Sequence, residues 1–200
     1  MPTYETLVRM DFLAAVGLLV VVPLILLLVS VPRPWVRDRL LAYWRASALL
    51  GITVYLLIGE RSIGFLTGIA ARSVIPVVLW WGDVLSQYPG RHEPTTEGWH
   101  AVLFRGWRMI ATVYTAGGLL YMLPLLSCLW ISPATMCNTW YIPPQEYAQL
   151  VHPYTPWSDL ALYGTVALAV YLIYAAATAY HFWVATDFSG QPPGQSANIP

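Results

Sequence analysis

Arg72 is the residue whose type and position most clearly invite chemistry, because it lies within an apolar run from Ile63 to Gly82. An arginine at the centre of a bilayer costs about 2.5–3.5 kcal/mol on insertion scales, so it normally faces other helices and has a partner. Its guanidinium could anchor a carboxylate, another anion or a lipid headgroup. It could also be a structural arginine, paired with carbonyls or with an acid elsewhere in the bundle, and we favour this second interpretation.

Small residues share a helix face with Arg72. Gly64, Gly68 and Arg72 follow one another at intervals of four, so they line one side of a helix. Glycines at this spacing let a second backbone approach closely within a membrane. Ser47 and Gly51 have the same spacing in the preceding apolar run. We therefore expect these two runs to pack against each other, small face on small face.

Three further arginines stand beside tryptophan at the ends of apolar runs. Arg45 follows Trp44, and Arg105 and Arg108 flank Trp107. Tryptophan is enriched at membrane interfaces, so simple anchoring explains this pattern. The alternative is a lipid-headgroup site formed by Arg45, Arg105 and Arg108, because clustered arginines bind anionic headgroups.

His181 lies near the end of the last apolar run. A histidine there could ligate a haem iron or a chlorophyll magnesium. A bis-histidine haem would need a second histidine at similar depth, and no other histidine lies within an apolar run. His92 and His100 also lack the His-Glu-x-x-His spacing of a zinc helix. We therefore predict no metal site and no cofactor, with haem or chlorophyll at His181 as the alternative.

The chain has two cysteines, Cys128 near the end of an apolar run and Cys137 nine residues later. In an oxidising compartment they could form a disulfide that closes a short loop. They could also remain unpaired, since a bond needs Cα atoms within about 7 Å of each other. The sequence leaves both possibilities open. It contains no nucleophile-elbow, P-loop or dinucleotide-binding motif, so no catalytic residue is predicted.

The composition indicates the environment in which these residues must be positioned. Of the 200 residues, 58% are hydrophobic and only 10% are charged, with a net charge of zero. Soluble domains carry about 25% charged residues, so this chain has too few charges for an ordinary soluble enzyme. A neutral chain also lacks the basic surface that binds nucleic acid. The lipid bilayer is therefore the predicted surrounding.

The hydropathy pattern predicts an all-α bundle of about five transmembrane helices in one domain, residues 1–186. About twenty apolar residues cross the hydrocarbon core. Asp11 is expected to precede the first helix, so that no acidic residue is expected within a span. The third span contains Arg72 and could instead be re-entrant. Residues 187–200 are predicted to be a disordered tail, because they are rich in Gly, Pro, Ser and Gln. The spans are about 12–31, 41–59, 63–82, 109–131 and 160–185.

The arginines are unevenly distributed between the two ends of these helices, which predicts the orientation. Arg9 and Arg61 lie at one end, whereas seven arginines lie at the other. Since arginine-rich connections stay in the cytoplasm, we expect the N-terminus outside and the C-terminus inside. The seven are Arg33, Arg37, Arg39, Arg45, Arg91, Arg105 and Arg108.

Several stretches of the chain resemble an uncharacterised family of small cyanobacterial membrane proteins, known as a domain of unknown function. The resemblance implies a polytopic protein of a plasma or thylakoid membrane, and it implies no activity and no catalytic residues. It covers most of residues 10–185. The stretches that carry it are Leu41–Ser47, Gly51–Gly59, Phe65–Thr67, Ala71-Arg72, Ile75-Pro76, Trp107-Arg108 and Leu126–Cys128 with a later cysteine.

These observations favour a non-catalytic integral membrane protein that acts as an accessory or assembly subunit. Its small-residue faces would contact a partner membrane protein. Two alternatives remain: a pigment- or haem-binding protein with His181 as ligand, and a membrane enzyme or transporter that holds an anionic amphiphile at Arg72.

Overall fold

The computed structural model describes residues 3–30, 34–85, 98–130 and 135–189. These residues form helices and no strand, which confirms the all-α class. Within them, five helical segments are long and apolar enough to cross a membrane, so the chain is a multi-pass membrane protein. The segments are Tyr4–Val29, Trp35–Ile58, Ile63–Gly82, Trp99–Leu129 and Trp157–Tyr180.

The first span is one continuous but irregular helix. It consists of α1 (Tyr4–Val16), a π-helical turn (Gly17–Val21) and α2 (Val22–Val29). Proline has no N–H to continue the helical ladder, and the π turn ends two residues before Pro23. The side chain of Thr3 caps the start of α1 by accepting from the N–H of Thr6. Asp11 consequently lies inside the helix, and our expectation that it precedes the helix is wrong.

The next two spans form an antiparallel hairpin, α3 (Pro34–Ile58) and α4 (Ile63–Leu85). α3 ends in a Schellman-type turn. In this turn the N–H of Arg61 donates to the carbonyl of Leu56 at 2.9 Å. Glu60 takes the left-handed backbone conformation, with φ of 54°. This turn places the two helices side by side, and theirs is the most extensive helix contact in the structure.

The fourth span is longer than its apolar run predicts. It begins as α5 (Trp99–Met122) and continues as a 3-10 segment, Leu123–Leu129. The span therefore begins about ten residues before the predicted start at residue 109. Arg105 and Arg108 lie in the first three turns of α5, which also bury Phe104 and Trp107 in the bundle.

Two short helices lie between the fourth span and the last span. They are α6 (Thr135–Thr139) and α7 (Ile142–Val151). Pro143 and Pro144 lie in the first turn of α7, where the missing N–H groups cost no helical hydrogen bond. We call residues 135–151 the cap. The last span, α8 (Trp157–Ser189), follows it. Apart from Asp187–Ser189, which end α8, the predicted tail lies outside the described residues.

The cap, the N-terminus and the turn between α3 and α4 lie at the same end of the bundle. Trp140 Nε1 in the cap donates to Tyr4 Oη at 2.8 Å. Gln145 Nε2 donates to Glu60 Oε1 at 3.1 Å. If each of the five segments crosses the membrane in turn, the N-terminus, the turn between the second and third spans and the cap between the fourth and fifth spans must all lie on the same side. Which end faces the cytoplasm stays a prediction.

Candidate functional site

Arg72 lies at the junction of three helices. Its side chain is only 5% exposed, and its Nη2 donates to Oδ2 of Asp11 in α1. The guanidinium carbon also lies 5.3 Å from the ring centroid of Tyr114 in α5. The Tyr114 hydroxyl is 2.8 Å from Oδ1 and 2.7 Å from the main-chain oxygen of Asp11, and it can donate to either. We call Asp11, Arg72 and Tyr114 the three-helix node.

The three-helix node explains how a charged arginine is accommodated within the spans. The Asp11 carboxylate cancels the charge of Arg72, and Tyr114 occupies the second carboxylate oxygen. A buried ion pair is tolerated when both charges are matched and their hydrogen bonds are made. The structure therefore agrees with the interpretation of Arg72 as a structural arginine paired with an acid. The acid is Asp11, which the hydropathy pattern left outside the first span.

Gly118 in α5 provides the space that Arg72 occupies. A Cβ atom built on Gly118 would lie 1.4 Å from Nη1 of Arg72, which is about the length of a covalent bond. No side chain is compatible with the observed position of the guanidinium. Nη1 itself has no hydrogen-bond partner within the described part of the chain. The sequence offers one sign of this role, the Gly117-Gly118 pair in an otherwise apolar span.

The glycines of α4 face α3, as their spacing suggests. A Cβ at Gly64 would lie 2.8 Å from Leu57 Cδ2, and one at Gly68 would lie 3.3 Å from Thr53 Cγ2. The buried hydroxyls of Thr53 and Thr67 also meet, with their Oγ1 atoms 2.9 Å apart. Close backbone approach and an interhelical hydrogen bond therefore both hold α3 against α4.

The α3 face that packs against α4 is not the face that we expected, which combined Ser47 and Gly51. Ser47 is buried and bonds to its own helix, donating to the Trp44 carbonyl at 3.3 Å. A Cβ at Gly51 would meet nothing within 4 Å, so Gly51 does not pack against α4 and this expectation needs correction. Gly51 instead lies on the exposed side of α3.

α3 makes a second close contact, with α8, which the sequence analysis did not identify. A Cβ at Gly59 would lie 2.1 Å from Ala161 Cβ, and one at Gly164 would lie 3.0 Å from Tyr55 Cβ. Gly59 directly follows α3 and Gly164 lies in α8, 105 positions apart in the sequence, and no local pattern connects them.

The carbonyls of the π turn receive donors from other helices. Pro23 cannot donate to the carbonyl of Leu19, one turn before it. The hydroxyl of fully buried Tyr43 in α3 donates to that carbonyl. Trp107 Nε1 in α5 donates to the neighbouring carbonyl of Leu18 at 2.8 Å. The second half of the first span, the half away from the cap, is thereby tied to both α3 and α5.

Cys128 and Cys137 form a disulfide in the structure, with Cα atoms 6.0 Å apart. The bond joins the end of the fourth span to α6 in the cap. Both cysteines are buried beside Phe65 and Tyr141. The disulfide therefore lies in the core that attaches the cap to the bundle. In the same core, burial raises the pKa of the Tyr141 hydroxyl, and the negative charge of Glu60 raises it further.

A cavity of about 260 Å³ lies between α1 and α3, beneath the cap. Its walls are predominantly apolar. The charged side chains that line it are Asp11 and Arg72, the two members of the ion pair. Gly51, which does not contact α4, lines its α3 wall.

The three arginines of the proposed headgroup site, Arg45, Arg105 and Arg108, lie on two different helices. Arg45 is exposed on α3, and Arg105 is half-buried on α5. The guanidinium carbon of Arg108 lies 4.2 Å from the ring centroid of Trp80 in α4. Trp80 in turn donates through Nε1 to Thr112 Oγ1 at 3.0 Å. Arg108 therefore packs between α4 and α5, and a headgroup site at the three arginines stays a prediction.

His181 lies in α8, but its side chain is outside what the structure describes, as is all of His92. Among the described residues, no group of three or more His, Cys, Asp or Glu side chains is arranged to hold a metal ion. Haem or chlorophyll binding at His181 therefore stays a prediction.

Comparison with known proteins identifies the family. No curated protein and no solved structure matches the chain. A family model described as a protein of unknown function (DUF3177) matches residues 5–185. This range includes the three-helix node, the cap and the five spans, apart from Tyr4 at the start of the first span. The cyanobacterial origin that the resemblance implies stays a prediction. The chain belongs to the DUF3177 family of proteins of unknown function.

Proposed function

We propose that this multi-pass membrane protein is a non-catalytic accessory or assembly subunit. In this proposal the C-terminal half of α8 receives a helix of a partner membrane protein. The membrane that we propose, a cyanobacterial plasma or thylakoid membrane, is supported only by the sequence resemblance.

The observation that supports the proposal is the exposure of α8. Its first turns are buried against the bundle at Leu160, Ala161 and Gly164. The nine consecutive residues from Leu172 to Tyr180 are all exposed. Nine residues make about two and a half helical turns, so they include every face of the helix. This segment of α8 is therefore exposed on every face of the helix.

The residues of this half favour another helix as a neighbour. Ala175, Ala176, Ala177 and Ala179 give it short side chains. Short side chains let two membrane helices approach closely, and close packing drives their association in lipid. At about 1.5 Å per residue, the 33 residues of α8 extend about 50 Å. This exceeds a hydrocarbon core of about 30 Å, so the exposed half reaches the far side of the membrane.

The three-helix node weakens the alternative of an enzyme or transporter for an anionic amphiphile. Asp11 already neutralises Arg72, and an incoming anion would have to displace a carboxylate that Tyr114 also holds. The pigment alternative depends on His181. An absorption spectrum of the purified protein checks it, because a bound haem or chlorophyll gives visible bands and a colourless protein excludes both.

Site-specific photo-crosslinking in native membranes tests the accessory role. A photoreactive phenylalanine replaces Ala176 in the full chain. A matched control variant carries the same residue in place of Ala167, which is exposed in the half of α8 nearer the cap. We expect Ala176 to give one discrete product whose cross-link maps to a transmembrane helix of a single other protein. Ala167 is expected to give lipid adducts only.

A bulky substitution provides the second measurement. Ala176→Trp should lower co-purification of the cross-linked protein in mild detergent by at least ten-fold, while Ala167→Trp should not change it. Both variants should reach the membrane in unchanged amounts. Monomer with lipid adducts at both positions would contradict the accessory role. A cross-link to a second copy of this chain would instead make the protein a homo-oligomer, which also contradicts it.

A further inference from the structure

The cavity lies where the first span stands away from α3, between two sets of contacts that attach this span to its neighbours. At the cap end, Arg9 Nη2 lies 2.7 Å from Glu146 Oε1 of α7. At the other end, the carbonyls of Leu18 and Leu19 are held by Trp107 and Tyr43. Between these attachments α1 stands away from α3.

The cavity is a slot with a closed end and a lateral opening. Trp140, Pro143 and Pro144 of the cap cover one end, and buried Val8 and Leu57 lie beneath them. Towards the middle of the membrane the lining residues become exposed. Val20 on the first span is 39% exposed, and Gly51 on the α3 wall is also exposed. The slot therefore opens towards the lipid and not towards water.

The length of the slot matches that of one lipid chain. Twelve residues separate Val8 from Val20, and at about 1.5 Å per residue they span about 18 Å. One leaflet of a hydrocarbon core of about 30 Å is about 15 Å thick. The volume of about 260 Å³ exceeds the roughly 150 Å³ that holds a benzene molecule in an engineered cavity. A helix, about 10–12 Å in diameter with its side chains, would need several times this volume.

The charges lining the slot select an uncharged occupant. Arg72 and Asp11 line it as a pair with no net charge. The other walls are largely aliphatic or aromatic. A hydrocarbon chain can fill such a space from the bilayer without carrying a charge past the pair. We propose that this slot binds one acyl chain of a bilayer phospholipid, from the leaflet on the cap side.

Photo-labelling of the full-length protein in phosphatidylcholine vesicles tests this proposal. The probe is phosphatidylcholine with a diazirine in one acyl chain, and mass spectrometry locates the labelled peptides. We expect labelling of the lining residues Phe12, Val16 and Leu50 that saturates with probe concentration. It should fall when unlabelled phosphatidylcholine is added, because a defined site can be competed.

Two glycines provide a matched pair of blocking variants. A Cβ at Gly51 or at Gly117 would meet nothing within 4 Å, so both positions have room for a side chain. Only Gly51 lines the slot. Gly51→Phe should lower the saturable labelling at least five-fold, whereas Gly117→Phe should leave it unchanged. If Gly51→Phe does not fold, Ala15→Phe blocks the slot from the α1 wall and should give the same loss.

Several results would overturn the proposal. One is equal labelling in the parent protein and in a folded slot variant. Another is labelling that does not saturate and is spread equally over exposed α8 residues such as Val166 and Val170. A stoichiometric pigment or isoprenoid in the purified protein, in place of a phospholipid, would also overturn it. None of these outcomes depends on whether a partner binds the far half of α8.

Discussion

Nη2 of Arg72 donates a hydrogen bond to Oδ2 of Asp11, a residue 61 positions earlier in the chain. The bond links α4 to α1, and Tyr114 of α5 holds the other carboxylate oxygen. Three spans are thus joined by one charge pair. Each charge depends on the other, because water cannot replace a lost partner within the hydrocarbon core.

Removing the acid should destabilise the protein strongly. Asp11→Asn leaves the buried charge of Arg72 uncompensated, and breaking such a pair costs about 3–5 kcal/mol. We expect a corresponding fall in the free energy of unfolding, measured by denaturant titration in detergent micelles. The double variant Asp11→Leu/Arg72→Met removes both charges and should recover most of the loss. A single variant as stable as the parent would show that the pair carries no stability.

The space at Gly118 gives a sharper test, because its neighbour is a matched control. Gly118→Ala places a Cβ where Arg72 Nη1 lies, so the guanidinium must move and its bond to Asp11 must be distorted. We expect a clearly lower thermal unfolding temperature. Gly117→Ala has open space and should be neutral or stabilising by up to about 1 kcal/mol, through helix propensity alone. Equal effects of the two substitutions would disprove the role of Gly118.

The hydrogen bond from Tyr43 to Leu19 should matter because Pro23 removes the alternative donor. Tyr43→Phe leaves a buried carbonyl without a partner, which costs about 1–3 kcal/mol. Hydrogen exchange should increase in the π turn, Gly17–Val21, and unfolding should require less denaturant. Tyr163→Phe is the control, since Tyr163 is 57% exposed. An unchanged exchange rate in the π turn would indicate that this bond does not hold the first span.

Reduction of the disulfide should loosen the cap more than the spans. The bond between Cys128 and Cys137 ties α6 to the end of the fourth span, and native disulfides typically contribute about 2–4 kcal/mol. We expect Cys128→Ser/Cys137→Ser to increase hydrogen exchange in residues 135–151, with little change in α3 and α4. Increased exchange in α3 and α4 to the same extent would mean that the cap and the spans unfold together.

The orientation can be tested with cysteines placed at the two ends of the bundle. Tyr154 is 96% exposed next to the cap, and Ser196 lies in the C-terminal tail. A membrane-impermeant thiol reagent applied to intact cells or sealed right-side-out vesicles should label Tyr154→Cys but not Ser196→Cys. The expected result follows from the positive-inside distribution of the arginines. The reverse labelling would show that the cap faces the cytoplasm.

Composition and hydropathy determined the class of this protein and the number of its spans. A run of about twenty apolar residues must become a helix in lipid, because every backbone polar group needs an internal partner there. The same kind of argument needs only residues close together in the sequence. Two adjacent apolar runs indicated the hairpin of α3 and α4, and the four-residue spacing of Gly64 and Gly68 indicated the packing face of α4. The need of Arg72 for a partner followed from the cost of a charge in hydrocarbon, without any structure.

The identity of that partner was decided only by the tertiary structure. Asp11 lies before the first uninterrupted apolar run, so a hydropathy pattern excludes it from the membrane, whereas the helix that holds it starts at Tyr4. The fit of Gly118 around Arg72 and the contact of Gly59 with Ala161 likewise join residues far apart in sequence. Such contacts depend on how side-chain shapes match across helix interfaces, and the periodicity of one helix carries no information about the shape of its neighbour.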